Sequence, residues 1–171
     1  GGAEANAPDK TGMAFEWKYV TLPMIIFITS VIIAAMFFFQ LPDEIAYRFS
    51  SDGAAESWMG RVTVTAIMLG LQFVIIAMVL LVIKTIVGFA KTIEQSSPGF
   101  NPDRFMLLIG NIAALPQLVL AVIMFDIFSF NVVDRHVLSI WLLILIMAIS
   151  GAIILSAFFI RAFISTRNMN K

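Results

Sequence analysis

The chain has 171 residues, of which 60% are apolar and 13% charged, and its formal net charge is zero. Balanced charge without a basic stripe argues against a nucleic-acid partner, and the absence of cysteine excludes disulfides, iron–sulfur clusters and thiolate zinc sites. Soluble chains are about half apolar, so a mean hydropathy of +0.96 predicts that the lipid bilayer covers the excess.

Four apolar segments are long enough to cross a membrane as helices, since a crossing needs about 20 residues. They lie at about 19–40, 62–87, 102–128 and 135–161, between an N-terminal arm at 1–18 and a tail at 162–171. Their uniformly apolar character favours helices over the alternating strands of a barrel. The sequence therefore predicts an all-α fold, an integral membrane four-helix bundle with up-down topology.

The interval 41–61, between the first two segments, is the longest polar stretch between apolar runs. Pro42 ends the first helix, because proline disfavours helix in the residue before it. Residues 45–50 alternate apolar with small or polar side chains, which predicts an extended segment. Asp52-Gly53 then predicts a tight turn. We expect a small structured loop over one mouth of the bundle.

The third helix has a clear predicted start. Asn101 supplies an N-cap acceptor, Pro102 suits the first helical position, and Asp103 favours the positive end of the helix dipole. The connection to the fourth helix, near 129–134, is short, so we expect helices three and four to be adjacent and antiparallel. Asp134 is predicted to lie near the N-terminus of the fourth helix as its cap.

The distribution of basic residues predicts the orientation in the membrane. One side holds eight of them: Lys10, Lys18, Lys84, Lys91, Arg104, Arg161, Arg167 and Lys171. The other side holds three: Arg48, Arg61 and Arg135. Both termini are therefore predicted to be cytoplasmic, with the 41–61 loop outside.

Three amides, Gln72, Asn111 and Gln117, lie within the apolar segments, and Pro116 stands beside the last of them. They suit either a polar cavity for a small solute or hydrogen bonds between neighbouring helices. Interhelical polar contacts are common in membranes and favour the second interpretation. No titratable group lies deep in a predicted span, which argues against a proton-coupled pump.

No catalytic, cofactor or metal site is predicted. His136 is the only histidine, which excludes a His-rich metal site. A serine–histidine–acid hydrolase set is also not predicted, because the sequence has no nucleophile-elbow motif. Four loop acids have oxygen ligands suited to calcium, but their spacing does not match an EF-hand. These acids are Asp43, Glu44, Asp52 and Glu56.

The loop is instead a candidate recognition surface. Tyr47, Arg48, Phe49 and Trp58 are the residue types that carry binding energy at interfaces. The alternative is a plain connection, which has no need of this aromatic and turn pattern.

The same loop carries a resemblance. Leu41-Pro42, Phe49, Gly53, Glu56, Trp58 and Arg61 resemble the signature of a prokaryotic membrane domain of unknown function that forms the N-terminal part of SdpI-type toxin-immunity proteins. The family pattern commonly has Pro-x-His-Phe-Asn where this chain has Ala46, Arg48 and Ser50 at the proline, histidine and asparagine. An arginine cannot act as a neutral ligand or titrate, so any chemical role of that histidine does not carry over.

The resemblance implies a non-enzymatic protein of a prokaryotic cell membrane that acts by partner binding, either in immunity to a membrane toxin or in signal relay. Two alternatives belong to other classes: an accessory structural subunit packed against neighbouring membrane subunits, and a small-solute transporter or membrane enzyme built around Gln72, Asn111 and Gln117. The lipid bilayer is a partner in every case.

Overall fold

The computed structural model describes residues 14–96, 99, 101–136 and scattered positions between 145 and 160. The described elements, in chain order, are a 3-10 turn (Trp17–Tyr19), α1 (Thr21–Phe38), β1 (Glu44–Phe49), β2 (Ala55–Gly60), α2 (Arg61–Ser96) and α3 (Pro102–Val133). The predicted fourth segment at 135–161 lies largely outside the described residues, as do residues 1–13 and the tail at 162–171.

Among the described helices, α1, α2 and α3 are long and apolar enough to span a membrane, as expected for a helical membrane protein. The all-α prediction is wrong in one respect, because the loop between α1 and α2 contains a two-stranded antiparallel sheet. A turn at Gly53 brings two extended runs together, and backbone pairing satisfies groups that a single extended segment would leave open. Three helices long enough to span a membrane lie within the described residues, and the predicted four-helix bundle is not shown by them.

The apolar segments locate these helices but not their ends. α1 covers residues 21–38, whereas α2 continues to Ser96 and α3 to Val133, each beyond the predicted ends at 87 and 128. A helix keeps its own backbone bonds in water, so an apolar run marks contact with lipid rather than the helix terminus. The predicted cap of α3 is confirmed: Asn101 Oδ1 accepts the Arg104 N–H at 3.2 Å, and Pro102 begins the helix.

α1 and α3 run parallel to each other, and α2 is antiparallel to both. Phe37 contacts Phe128 near the C-terminal ends of α1 and α3, while residues before α1 contact the beginning of α3. Two apolar clusters lie at the two ends of the helices. The first contains Ala34, Leu41, Ile45, Val64, Met124, Ile127 and Phe128; the second contains Tyr19, Val20, Val79, Ile83 and Met106.

The chain before α1 lies directly against α3 at Gly110. A Cβ atom built at Gly110 would lie 1.8 Å from the Tyr19 carbonyl oxygen, far inside van der Waals contact. Only glycine allows the two backbones to approach this closely. The position of the 3-10 turn is therefore fixed by the missing side chain of one α3 residue.

A cluster of ionisable side chains also holds the N-terminal ends of α1 and α3 together. We call this region the Asp103 end; its residues are Glu16, Lys18, Tyr19 and Asp103. Lys18 Nζ lies 2.8 Å from Asp103 Oδ1 and 3.0 Å from Glu16 Oε2, and the Tyr19 hydroxyl donates to Asp103 Oδ1. Hydrogen bonds to Asp103 and Glu16 raise the pKa of Lys18. Burial, together with the bond to Asp103, raises the pKa of Tyr19 to about 12.

α3 ends at Val133, and the residue that follows it, Asp134, adopts a left-handed conformation with φ of 54° and donates its N–H to the Phe130 carbonyl at 2.9 Å. Asp134 therefore lies at the C-terminal cap of α3, whereas the sequence suggested a cap on the following helix. Short acidic side chains tolerate this conformation better than most residues. Arg135 and His136 follow outside helical structure.

Candidate functional site

The candidate site is the segment at the C-terminal ends of α1 and α3, which we call the sheet cap (residues 41–61). Its turn is held locally by Asp52, which accepts from the Ser50 hydroxyl and from the Ala54 N–H. These two bonds, the first above all, hold the pKa of Asp52 below its usual value. Gly53, with φ of 85°, occupies the left-handed position that the turn requires.

The antiparallel pairing of β1 and β2 is interrupted by two register shifts, one in each strand, which compensate each other. Ala46 lies opposite Trp58, Arg48 opposite Ser57 and Phe49 opposite Ala55. Tyr47 is thus an extra residue in β1, and Glu56 is an extra residue in β2. Bulges of this kind re-aim side chains and raise the local twist. Beside them, Arg48 Nε lies 3.3 Å from Glu56 Oε2.

Asn131, near the end of α3, fastens β1 to the helices. Its Oδ1 accepts the Ala46 N–H at 2.8 Å, and its Nδ2 donates to the Ala46 carbonyl and to the Ile127 carbonyl, each at 2.8 Å. One side-chain amide therefore satisfies both the N–H and the carbonyl of Ala46, a buried residue. The edge of β1 is thereby paired with a helix side chain instead of a third strand.

Arg61, at the start of α2, fastens the beginning of the sheet cap. Its Nη1 donates to the Leu41 carbonyl at 2.8 Å, its Nη2 lies 3.3 Å from Asp43 Oδ1, and its backbone N–H donates to the Asp43 carbonyl at 2.9 Å. The guanidinium also lies over the Phe38 ring, 5.2 Å from its centre. A planar group with several fixed donors suits this multiple contact, which a lysine cannot reproduce.

His136 fastens the turn of the sheet cap. Its Nδ1 lies 2.8 Å from Asp126 Oδ2, and its Nε2 lies 3.4 Å from the Gly53 carbonyl oxygen. The ring stacks on Phe130 and meets Phe49 edge-on, with 4.6 Å between centres in both cases. Sequence reasoning placed His136 beside a helix terminus and missed this contact, because the partners are 83 residues apart in the chain.

The four predicted binding residues divide into two groups. Trp58 is 57% exposed, Tyr47 is 37% exposed and the Arg48 side chain is 70% exposed. Phe49 instead packs edge-on against both Phe130 and His136, with 4.7 Å between the two phenylalanine ring centres. Phe49 therefore fastens the sheet cap, and the other three form its accessible surface.

The three predicted intramembrane amides are not brought together. Gln72 and Gln117 are fully buried, and Gln117 Nε2 donates to the Gln72 backbone carbonyl at 3.2 Å. Asn111 is exposed and lies on another face of α3. A solute pathway lined by all three amides is therefore not formed by the described residues. Among those residues, no group of three or more histidine and acidic side chains is placed to hold a metal ion.

Comparison of the chain with family models, with curated proteins and with solved structures finds no match.

Proposed function

We propose that this protein is a non-enzymatic integral membrane protein that binds a protein partner through the sheet cap. The observation that supports this most directly is the contrast within the cap. Three separate side chains of the helices and their flanks, Asn131, Arg61 and His136, hold it in place, while Trp58 and Tyr47 remain exposed.

A pre-positioned aromatic surface is well suited to binding. Holding Trp58 and Tyr47 on a paired and fastened sheet reduces the conformational entropy that a partner would otherwise have to remove. The exposed Arg48 adds a cationic group with multiple donors beside the two rings. Aromatic and arginine side chains of this kind dominate binding energy at protein interfaces.

The proposed partner is a membrane-acting toxin protein or a signalling protein, as the resemblance to SdpI-type immunity proteins implies. The positions that carry the resemblance include those that shape the cap: Leu41 is buried, Gly53 makes the turn, and Arg61 binds the Leu41 carbonyl. Arg48, where the family commonly has histidine, pairs with Glu56. This arrangement favours recognition over proton or metal chemistry at that position.

The proposed setting is a prokaryotic cell membrane, with a fourth span at 135–161, both termini cytoplasmic and the sheet cap outside. The eight-to-three distribution of basic residues supports this orientation. Because the chain has no cysteine, single introduced thiols can test it directly. In intact cells a membrane-impermeant maleimide should label Ala54→Cys, and should label Gln95→Cys only after permeabilisation. The reverse pattern would contradict the orientation.

Photo-crosslinking in native membranes tests the partner. A photoreactive residue at position 58 should give a discrete cross-linked protein, and Arg48→Ala should weaken it. Trp17 is the matched control, since it is 69% exposed but precedes α1 at the opposite end of the helices. Lipid adducts alone at position 58, or the same protein at both positions, would contradict recognition by the sheet cap.

The accessory-subunit alternative would use the large apolar side chains that are exposed along α2, including Phe73, Met78 and Leu81. Neighbouring subunits or lipid tails can cover such faces equally well. Native mass measurement after gentle extraction separates the two. Stoichiometric co-purification with a multi-subunit complex, retained in Trp58→Ala but lost in Leu81→Ser, would favour the accessory role over partner binding at the cap.

A further inference from the structure

A layer of buried polar side chains from α1, α2 and α3 lies between the two apolar clusters. Gln72 on α2 and Gln117 on α3 are both fully buried there. Ser30 on α1 is fully buried too, and it lies one turn beyond Phe27, whose ring is 6.3 Å from that of Phe73. Each helix thus contributes one buried polar side chain at a similar depth.

The hydrogen bonds of this layer are incomplete. Gln117 Nε2 donates to the Gln72 backbone carbonyl, and the Ser30 hydroxyl donates to the Ile26 carbonyl. Gln72 Nε2, Gln72 Oε1 and Gln117 Oε1 are buried and have no hydrogen-bond partner within the described part of the chain. Leaving a buried polar group unpaired costs about 1–3 kcal/mol, and no bulk water is present to compensate in lipid.

We propose that Gln72 and Gln117 form an internal binding site for one water molecule. The three atoms comprise one donor group and two acceptors. A water oxygen accepts from Gln72 Nε2, while its two protons are donated to Gln72 Oε1 and Gln117 Oε1. These are three hydrogen bonds, the usual number for a buried water.

The mixture of donor and acceptors determines the class of ligand. A cation would face the Gln72 amide protons, and an anion would face two carbonyl-type oxygens. A neutral molecule with both functions, of which water is the smallest, satisfies all three atoms.

Nuclear magnetic resonance of the full chain in lipid nanodiscs, with ¹⁵N-labelled glutamine, tests the site. The rotating-frame Overhauser effect between water and the Gln72 side-chain amide distinguishes a bound water from proton exchange by its sign. We expect a direct effect from a long-lived water at Gln72. Its absence in the wild-type chain would overturn the proposal, and this measurement does not depend on any variant folding.

Two variants sharpen the result. Gln117→Met removes one acceptor and should at least halve the water signal at Gln72. Gln40→Met is the matched control, because Gln40 is exposed and binds the Met36 carbonyl, and it should leave the signal unchanged. An undiminished Gln72 signal in Gln117→Met would overturn the assignment of a water shared by both side chains.

Discussion

The two ends of the helices are fastened by different chemistry. At the Asp103 end, the cluster around Lys18 and Asp103 consists mainly of ionisable side chains, assisted by the close approach at Gly110. At the sheet cap, most fastening bonds join a side chain to backbone: Asn131 to Ala46, and Arg61 to Leu41. Half-exposed ion pairs contribute little to stability, whereas an unpaired buried backbone group is costly.

This difference indicates which end tolerates change. The ionic contacts at the Asp103 end depend on pH and salt, but its backbone contact at Gly110 depends on shape alone. The sheet cap depends on the geometry of a few amide and guanidinium groups. Single substitutions can therefore measure separately what the close backbone contact, the neutral hydrogen bonds, the guanidinium geometry and the ionisation of side chains contribute to stability at the two ends.

Gly110→Ala should have the largest effect. The new methyl group would lie 1.8 Å from the Tyr19 carbonyl, so the 3-10 turn and α1 must move away from α3. We expect a loss of about 3 kcal/mol or more, in the range of severe steric substitutions, measured by unfolding in mixed detergent micelles.

Gly70→Ala is the matched control, because it lies in α2 and an added Cβ meets nothing within 4 Å. It should be neutral or stabilising by up to about 1 kcal/mol, as for alanine in a helix interior. Equal destabilisation by the two substitutions would contradict the role of the Gly110 contact.

Asn131→Leu should have the next largest effect. It leaves both the N–H and the carbonyl of Ala46 without their partner in a buried position, at a cost of about 2–3 kcal/mol. Hydrogen exchange should show loss of protection at the Ala46 amide while the middle of α3 stays protected. Asn111→Leu, at an exposed position of the same helix, should leave Ala46 protected. Retained protection in Asn131→Leu would show that the sheet is held by other contacts.

Arg61→Lys should have a smaller effect, because it keeps the charge near Asp43 but loses the simultaneous bonds of the guanidinium. We expect a loss of about 1 kcal/mol and faster hydrogen exchange in β1 and β2. Arg48→Lys is the control, since its pair with Glu56 is largely exposed and should change stability little. Equal effects would show that charge alone fastens the start of the cap.

Much of the fold could be predicted from the sequence because its signals are local. Apolar length located α1, α2 and α3, and the Asn101–Pro102 pair marked the start of α3. The sequence predicts the sheet only as an extended segment and a turn. Its partner strand, residues 55–60, alternates too weakly in hydrophobicity to be read as a strand, and pairing across the turn determines its conformation.

The contacts that hold the sheet cap against the helices could not be predicted, because they join residues far apart in the chain. Asn131 and Ala46 are 85 positions apart, and nothing local marks either as a partner of the other. Phe49 illustrates the consequence: its half-buried ring contacts Phe130 and His136, and nothing near Phe49 in the chain predicts either contact. The exposed residues of the cap follow from tertiary packing, which composition alone does not determine.

Alkaline pH tests the contacts of Tyr19 at the Asp103 end and is the mildest test. The pKa of Tyr19 is raised to about 12 from an ordinary value of about 10, first by burial and then by the bond to Asp103. A folded-state pKa above the unfolded value stabilises the fold fully below the unfolded value, and this contribution is lost as the pH rises through the folded value. The contacts of Tyr19 should therefore persist at pH 10 and weaken as the pH approaches 12.

The chain has two tyrosines, so in Tyr47→Phe the tyrosinate absorbance reports Tyr19 alone. Its titration midpoint should lie at about 12. Adding Asp103→Asn removes the carboxylate that disfavours the tyrosinate, so the midpoint should fall but stay above the ordinary value because burial, the larger cause, remains. A midpoint at the ordinary value with Asp103 present would mean that the hydroxyl is open to water. In that case shape at Gly110, and not ionisation, would be what distinguishes this end from the sheet cap.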